Sequence, residues 1–164
     1  RQTKSLWNDD KRYIDNYWSV IKDYWVHGDL ASRDADGHWY LHGRSDDTIK
    51  VSGKRIGPSE LESVIVKSGK AKEVAAVGIP DENKGSKIIL SIVPAENNDQ
   101  KESFFEDLVI KDLGKSFKPD KVIFVKDLPK TRNMKIMRRV IKSCLSNQDP
   151  GDLSTLLNLS LIHI

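Results

Sequence analysis

The stretch "KEVAAVGIPDENKGSKIILSIVP", residues 72–94, decides the fold of this chain. Two nearly continuous apolar runs, 72–80 and 86–94, flank the polar segment "DENKG", and runs of this length bounded by turn residues are typical of strands. Because neither run alternates between apolar and polar residues, we expect both faces of the sheet to be covered. The stretch therefore predicts two paired, buried strands with other elements packed on either side.

Three neighbouring segments predict the helices that cover these strands. In residues 57–69, Pro58 suits the first helical position and Gly69 ends the pattern. Residues 101–114 and 136–145 repeat apolar residues about every four positions, as the buried side of a helix does.

Two more segments complete the predicted domain. "KVIFV" (121–125) is apolar enough for a third buried strand, and "TIKVSGKRIG" (48–57) alternates around Gly53, which is typical of a hairpin. The order of elements predicts an α+β fold, with a small central sheet of about three strands, helices on both faces and a two-stranded hairpin.

Residues 24–43 predict a separate β-hairpin. Two aromatic runs, near 24–32 and 38–43, flank "DADG", which is a strong turn signal. An isolated hairpin is only marginally stable in water, and all four tryptophans lie within the first 39 residues. We therefore expect this hairpin to be the remnant of a larger N-terminal domain and the chain to be a fragment.

The composition excludes several classes of protein. The net charge is only +3, so the positive charge is local rather than global. Cys144 is the single cysteine, which excludes an internal disulfide and favours a reducing compartment, here the cytoplasm. No apolar run approaches the roughly 20 residues that cross a membrane, so no membrane partner is expected.

Positive charge is concentrated in "LPKTRNMKIMRRVIK", residues 128–142, which contains no acidic residue. The helix face predicts solvated cations at Arg138, Arg139 and Lys142. The loop before the helix carries Lys130, Arg132 and Lys135, and a loop of this kind can present a lysine to an anionic substrate. Nucleic-acid binding is the alternative, but no aromatic residue follows to stack on bases.

The remaining candidates favour structural roles. His38 and His42 lie four residues apart on a predicted strand or turn without carboxylates at ligand spacing, so no metal site is predicted. Cys144 lies on the apolar side of the last helix, which favours a core thiol over a nucleophile. The segment 42–57 lacks Walker A spacing and by itself predicts an interdomain turn.

Three blocks, however, together resemble the C-terminal part of the adenylate-forming acyl-CoA synthetases, above all the AMP-forming acetyl-CoA synthetases. They are "WVHGDLASRDADGHWYLHGRSDDTIKVSGKRIGPSELE", "VAAVGIPDENKG" and "LPKTRNMKIMRRVIK", and the resemblance covers residues 7 to about 155. It implies that residues 1–45 end a large adenylation domain and that 46–145 form a swinging C-terminal domain. Residues 146–164 are left as a tail that is either docked or disordered.

The resemblance also implies a two-step reaction. A short-chain carboxylic acid attacks the α-phosphate of Mg-ATP to give an acyl-adenylate and pyrophosphate. After the small domain rotates, the thiol of coenzyme A displaces AMP. The full-length enzyme would thus use ATP, Mg²⁺ and coenzyme A, bound with the acid through the missing N-terminal domain. The fragment alone is expected to be inactive and to bind none of them tightly.

Residue by residue, the resemblance implies roles in the adenylation step. Asp29 matches an aspartate that holds the ribose hydroxyls, while Arg44 and Arg55 match arginines close to the nucleotide. Asp46 matches the hinge between the domains, where two backbone conformations are needed. Lys135 matches the catalytic lysine that bridges carboxylate and phosphate oxygens.

For the second step, Ser52 and Gly53 match the hairpin that faces the coenzyme A tunnel, where glycine allows close approach. Two departures stand out. Lys111 is at best a substitute for an arginine that contacts the nucleotide of coenzyme A, and Asn133-Met134 replaces the Ser-Gly that precedes the catalytic lysine. The resemblance further implies possible acetylation of Lys135, with a lysine acetylase and deacetylase as partners. The alternatives are a non-catalytic regulatory or adaptor module of the same fold, or a nucleic-acid-binding module.

Overall fold

The computed structural model describes residues 3–96 and 99–157. The chain divides into two compact units, Arg1–Asp46 and Asp47–Ile164. Each unit has its own secondary structure. None of the described helices combines the length and the apolar character that a membrane span requires.

The first unit consists of one helix and one hairpin: α1 (Asp10–Tyr17), β1 (Asp29–Arg33) and β2 (Trp39–Arg44). The two strands pair antiparallel with an irregularity after Leu30, so the predicted hairpin is present, but its first strand begins at Asp29 rather than near residue 24. Helix α1 was not predicted. Its start signal is Asp9, whose Oδ1 accepts the N–H of Arg12 at 3.1 Å.

The second unit alternates strands and helices in the predicted order. Its elements are β3 (Ile49–Val51), β4 (Lys54–Ile56), α2 (Pro58–Lys67), β5 (Ala71–Asp81), β6 (Gly85–Pro94), α3 (Glu102–Leu113), a 3₁₀ turn (Lys115–Phe117), β7 (Lys121–Phe124) and α4 (Arg138–Leu145). Strands β3 and β4 form a separate hairpin, and the other three form one sheet in the order β5-β6-β7.

The three-stranded sheet is covered on both faces, as its continuous apolar runs predicted. Strand β6 pairs antiparallel with β5 and parallel with β7, and α3 lies in the crossover between β6 and β7. One face packs against α2, α3 and the β3–β4 hairpin, and the opposite face packs against α4 and the segment before it. The predicted α+β architecture is therefore confirmed.

Local chemistry explains how α2 begins and why it stays in place. Pro58 occupies its first turn, and Glu60 accepts the N–H of Gly57 at 3.0 Å. Leu61 and Ile65 are fully buried against the sheet. Burial of each such side chain stabilises the fold by about 1.5–3 kcal/mol.

The described part of the tail, residues 146–157, docks on the body. Leu156 is buried and forms an isolated bridge with Thr131. The N–H of Leu157 donates to Lys130 O at 2.8 Å, and the N–H of Arg132 donates to Thr155 O at 3.2 Å. Residues 146–157 of the tail are therefore docked, whereas residues 158–164 lie outside the described residues.

Candidate functional site

The first unit brings three of the predicted site residues close together, and two of them line one depression. Its volume is about 520 Å³, and its lining includes Arg44 and Asp46. The Arg44 guanidinium donates to Asp46 Oδ1 at 3.1 Å and to His27 O at 3.0 Å, and it lies 3.8 Å from Asp29 Oδ1. Gly28 makes this possible, because a Cβ there would lie 2.8 Å from an Arg44 nitrogen. The arrangement holds one cation between two carboxylates at a partly exposed surface.

Aromatic side chains in the same depression were missed by the sequence analysis. Tyr17 and Trp25 stack with ring centroids 5.4 Å apart and an interplanar angle of 8°. The buried Nε1 of Trp25 has no hydrogen-bond partner among the described residues. Tyr17 lies on helix α1, which was not predicted. The sequence could therefore have indicated the aromatic lining of the depression only if that helix had been recognised.

In the second unit, Ser52 and Gly53 form the two-residue tip of the β3–β4 hairpin. Both residues have left-handed backbones, with φ values of 49° and 80°. This is the pattern of a type I′ turn, which favours glycine at the second position. The N–H of Ser52 donates to Lys84 O at 2.9 Å, which fixes the tip, and a Cβ on Gly53 would meet no atom within 4 Å. The tip therefore presents open backbone.

A groove of about 440 Å³ runs beside this tip. Its lining includes Ser52 together with Lys84, Lys115 and Lys118. Lys111, the predicted substitute for the coenzyme A arginine, is exposed in the last turn of α3 and is not part of the lining. The sequence analysis missed Lys115 and Lys118 because their proximity to Ser52 depends on tertiary packing.

Arg55, the remaining predicted nucleotide contact, is exposed in the middle of β4, where it pairs with Lys50 of β3. It belongs to the second unit, whereas Asp29 and Arg44 belong to the first. The described structure thus brings together two of the three predicted nucleotide-binding residues.

Lys135 lies in a second tight hairpin, which we call the lysine hairpin (residues 130–136). Lys130 and Ile136 form an antiparallel bridge, and the N–H of Thr131 donates to Lys135 O at 2.8 Å. The N–H of Met134 donates back to Thr131 O at 2.8 Å. Such a three-residue loop ends in a left-handed residue, usually glycine. Here that residue is Met134, with φ 62°.

The basic segment does not behave as one exposed patch. Lys135 and Lys142 are exposed, but Lys130 is buried. The prediction that Arg138 is a solvated helix cation is wrong, because its guanidinium binds both carboxylate oxygens of Glu62 at 2.8 Å. Helix periodicity could not show this pair, whose members are 76 residues apart.

Buried ionic contacts also hold Lys130. Its Nζ donates to Asp127 Oδ1 at 2.7 Å and lies 2.7 Å from Glu73 Oε2. Burial acts to lower the pKa of Lys130, but the two carboxylates outweigh it and raise the pKa above its ordinary value. Lys130 is therefore a charged structural residue rather than a free cation.

The two hairpins lie over opposite faces of the same sheet. Ile49, Val51 and Ile56 of the β3–β4 hairpin pack into the core on the side of α2 and α3. Leu128, which precedes the lysine hairpin, and Ile136, its last residue, pack on the other side with α4. One small domain thus presents two chemically different loops in two directions.

One group of metal-ligating side chains occurs among the described residues, at the β1–β2 turn: Asp34, Asp36 and His38. Asp34 is already engaged, since it accepts the N–H of His38 at 2.8 Å and the hydroxyl of Tyr40 at 2.9 Å. We assign it no metal, and the absence of a metal site stays a prediction.

Comparison with known proteins places this arrangement in a family. Residues 60–135 match the AMP-binding enzyme C-terminal domain. The acetyl-coenzyme A synthetase of Emericella nidulans is 37% identical over 98% of this chain and 25% of its own length. That of Methanothrix thermoacetophila is 41% identical over 94% of this chain and 25% of its own length. The chain therefore spans about a quarter of the length of these curated relatives.

Solved structures share the fold. The amide bond synthetase McbA from Marinactinospora thermotolerans is 27% identical, with a TM-score of 0.73 over 85% of this chain and 28% of that protein. ATP-bound MatB from Rhodopseudomonas palustris is 25% identical, with a TM-score of 0.73 over 85% of this chain and 27% of that protein.

The second unit thus has the mixed α+β fold found in the C-terminal domain of adenylate-forming enzymes, and residues 60–135 match the AMP-binding enzyme C-terminal domain family. Within that family it corresponds to the C-terminal quarter of the acetyl-coenzyme A synthetases. The resemblance predicted from the three sequence blocks is confirmed.

Proposed function

We propose that this chain is the C-terminal part of an AMP-forming ligase that joins a short-chain carboxylic acid, acetate in the first instance, to coenzyme A through an acyl-adenylate. The observation that carries the proposal is the placement of two hairpins on opposite faces of one sheet. Adenylation and thioester formation need different groups at the same reacting carbon. A domain that turns about Asp46 would bring first one hairpin and then the other to that carbon.

In the adenylation step, Lys135 is the catalytic residue. Its side chain is exposed at the end of a tight hairpin, where an ammonium can reach carboxylate and α-phosphate oxygens as charge develops. The Asp29 carboxylate would accept hydrogen bonds from the ribose hydroxyls, and Arg44 and Arg55 would donate to the nucleotide. Mg²⁺ would enter with ATP, and we assign it no ligand in this chain.

In the thioester step, Ser52 and Gly53 would line the approach of the pantetheine arm. The open space over Gly53 supports this role, because a side chain there would project into the path. Lys115 in the adjoining groove suits the phosphates of coenzyme A, whereas Lys118 is paired with Glu106 at 2.9 Å and is less available. Lys111 lies outside that groove and is the weaker candidate.

The remaining proposals concern context. The isolated chain would be inactive and would bind neither nucleotide nor coenzyme A tightly, because the acid and ATP bind mainly to the rest of the enzyme. We place the enzyme in the cytoplasm. Acetylation of Lys135 would remove its charge and stop adenylation, with an acetylase and a deacetylase as partners.

The ion pairs of Lys130 and Arg138 support a ligase over a nucleic-acid-binding module, because paired cations contribute little to a phosphate-binding surface.

Lys135→Ala in the full-length ligase tests the proposal. We expect acetate-dependent ATP–pyrophosphate exchange to fall about 10²–10³-fold, since one charge-stabilising group is lost from the transition state. Thioester formation from supplied acetyl-adenylate and coenzyme A should stay near wild type. Lys142→Ala, which removes an exposed cation from α4, is the matched control and should change neither step. Equal loss in both steps for Lys135→Ala would contradict the assignment.

A further inference from the structure

The lysine hairpin is anchored at both ends by ion pairs, one on the buried Lys130 and one on the partly buried Arg138. Lys130 lies five residues before Lys135, and Arg138 lies three residues after it. Lys130 also closes the hairpin through its bridge with Ile136. The two cations therefore flank the exposed lysine on its two legs.

The first anchor ties the hairpin to strand β5. Glu73, on β5, places Oε2 at 2.7 Å from Lys130 Nζ, and that oxygen is buried without a hydrogen bond among the described residues. The ammonium of Lys130 is the cation that pairs with this carboxylate. The Lys130 side chain is only 9% exposed, so water contributes little.

The second anchor joins two helices that lie on opposite faces of the sheet. Glu62 lies on α2, on one face, and Arg138 begins α4, on the other. Besides the two-oxygen contact with Arg138, Glu62 Oε1 accepts the N–H of Ala76 on β5 at 2.9 Å. A guanidinium held by both oxygens of a carboxylate has one defined orientation, so this contact fixes the start of α4 relative to β5.

This double attachment matters because the side chain of Lys135 is exposed and packing does not fix it. Its reach to a substrate is set by where its two legs leave the body of the domain. We propose that Lys130 and Arg138 are positioning residues, which clamp the two legs of the lysine hairpin to strand β5 and so place Lys135 for adenylation. This inference rests on the proposed function of Lys135.

The test uses the full-length ligase and both half-reactions. Arg138→Met should lower acetate-dependent pyrophosphate exchange about 10²-fold, the loss that a displacement of about 1 Å causes, while thioester formation from supplied acetyl-adenylate is retained. Lys130→Met should show the same split. Lys142→Met removes one exposed cation from α4 and should leave both steps unchanged.

A double variant, Glu62→Gln with Arg138→Met, separates positioning from folding. It leaves no unpaired carboxylate, and the Gln carbonyl can still accept the Ala76 N–H, so the melting temperature should return toward wild type. We expect adenylation to stay low, because the tie between α2 and α4 is still missing. Recovery of adenylation together with the melting temperature would overturn the inference, as would equal loss in both half-reactions.

Lys135→Ala, assayed in parallel, keeps the two hypotheses apart. If it abolishes adenylation while Arg138→Met and Lys130→Met do not, only the clamp is wrong. If Lys135→Ala itself leaves adenylation intact, the proposed function fails, and the clamp fails with it.

Discussion

Both hairpins of the second unit contain residues with a left-handed backbone, but different residue types adopt it in each. The β3–β4 hairpin has Ser52 and Gly53 at left-handed φ, whereas the lysine hairpin has Met134 there. They are also attached differently. Apolar side chains such as Ile49 and Ile56 hold the first, whereas the second combines apolar packing with ion pairs at Lys130 and Arg138.

The difference shows which property each hairpin needs. Burial of apolar groups fixes a loop firmly but with little directional preference, whereas paired ions impose geometry and lose much when one partner is removed. A tip that only has to offer open backbone can rely on burial. A loop that has to deliver one ammonium to a defined point benefits from directional anchors.

The largest expected effect concerns the anchors. Lys130→Met should destabilise the second unit by about 1.5–3 kcal/mol, because the partly exposed carboxylates of Glu73 and Asp127 lose their shared counter-ion. Lys142→Met is the exposed control and should change stability by less than about 0.5 kcal/mol.

Urea unfolding followed by circular dichroism is the suitable measurement. All four tryptophans and all four tyrosines lie before residue 41, so intrinsic fluorescence reports the first unit alone. A Lys130→Met variant as stable as wild type would show that the buried ion pair does not hold this hairpin.

Next in size is the effect of a side chain at the open tip. Gly53→Leu in the full-length ligase should slow thioester formation about 10- to 100-fold and spare adenylation, because the side chain would project from a left-handed position beside the groove. Gly53→Asn is the control, since asparagine tolerates this backbone. Assay of each half-reaction decides the matter, and a loss of adenylation instead would reverse the assignment of the two faces.

A smaller effect is expected from relief of backbone strain. Met134→Gly should stabilise the second unit by about 0.5–1 kcal/mol, because a left-handed non-glycine residue costs about 1–2 kcal/mol and added freedom in the unfolded chain offsets part of the gain. Met134→Ala keeps the strain and should bring no such gain. Urea midpoints of the two variants, compared with wild type, measure the difference.

The smallest effect concerns pH. Asp81, the last residue of β5, has its pKa lowered to about 2 by its hydrogen bond with Lys87 and by backbone N–H groups. A carboxyl group whose pKa is lower in the folded state stabilises the fold above its ordinary pKa, near 3.8, and loses this contribution as pH falls toward 2. Asp81→Asn should therefore flatten the dependence of the urea midpoint on pH between about 4 and 2. If the urea midpoint of the variant depends on pH as steeply as that of the wild type, groups other than Asp81 cause the acid sensitivity.

The order of elements in the second unit could be predicted because apolar periodicity is local. Helix α1 was not predicted because it is short and mostly polar, and Asp9 is the main residue that indicates its start. The ion pair of Arg138 was not predicted because its partner Glu62 is distant in sequence. The left-handed position of Met134 could have been found, since glycine is expected in the related loops and a glycine position often indicates positive φ.

The contact between Glu62 and Ala76 has one more consequence. Strand β5 lies at an edge of the sheet, and an open edge is a template on which strands of other molecules can add. Glu62 occupies an outward N–H of that edge, and Arg138 covers the carboxylate from the other side. We therefore expect the same pair to discourage edge-to-edge aggregation, and a variant that loses it to be less soluble.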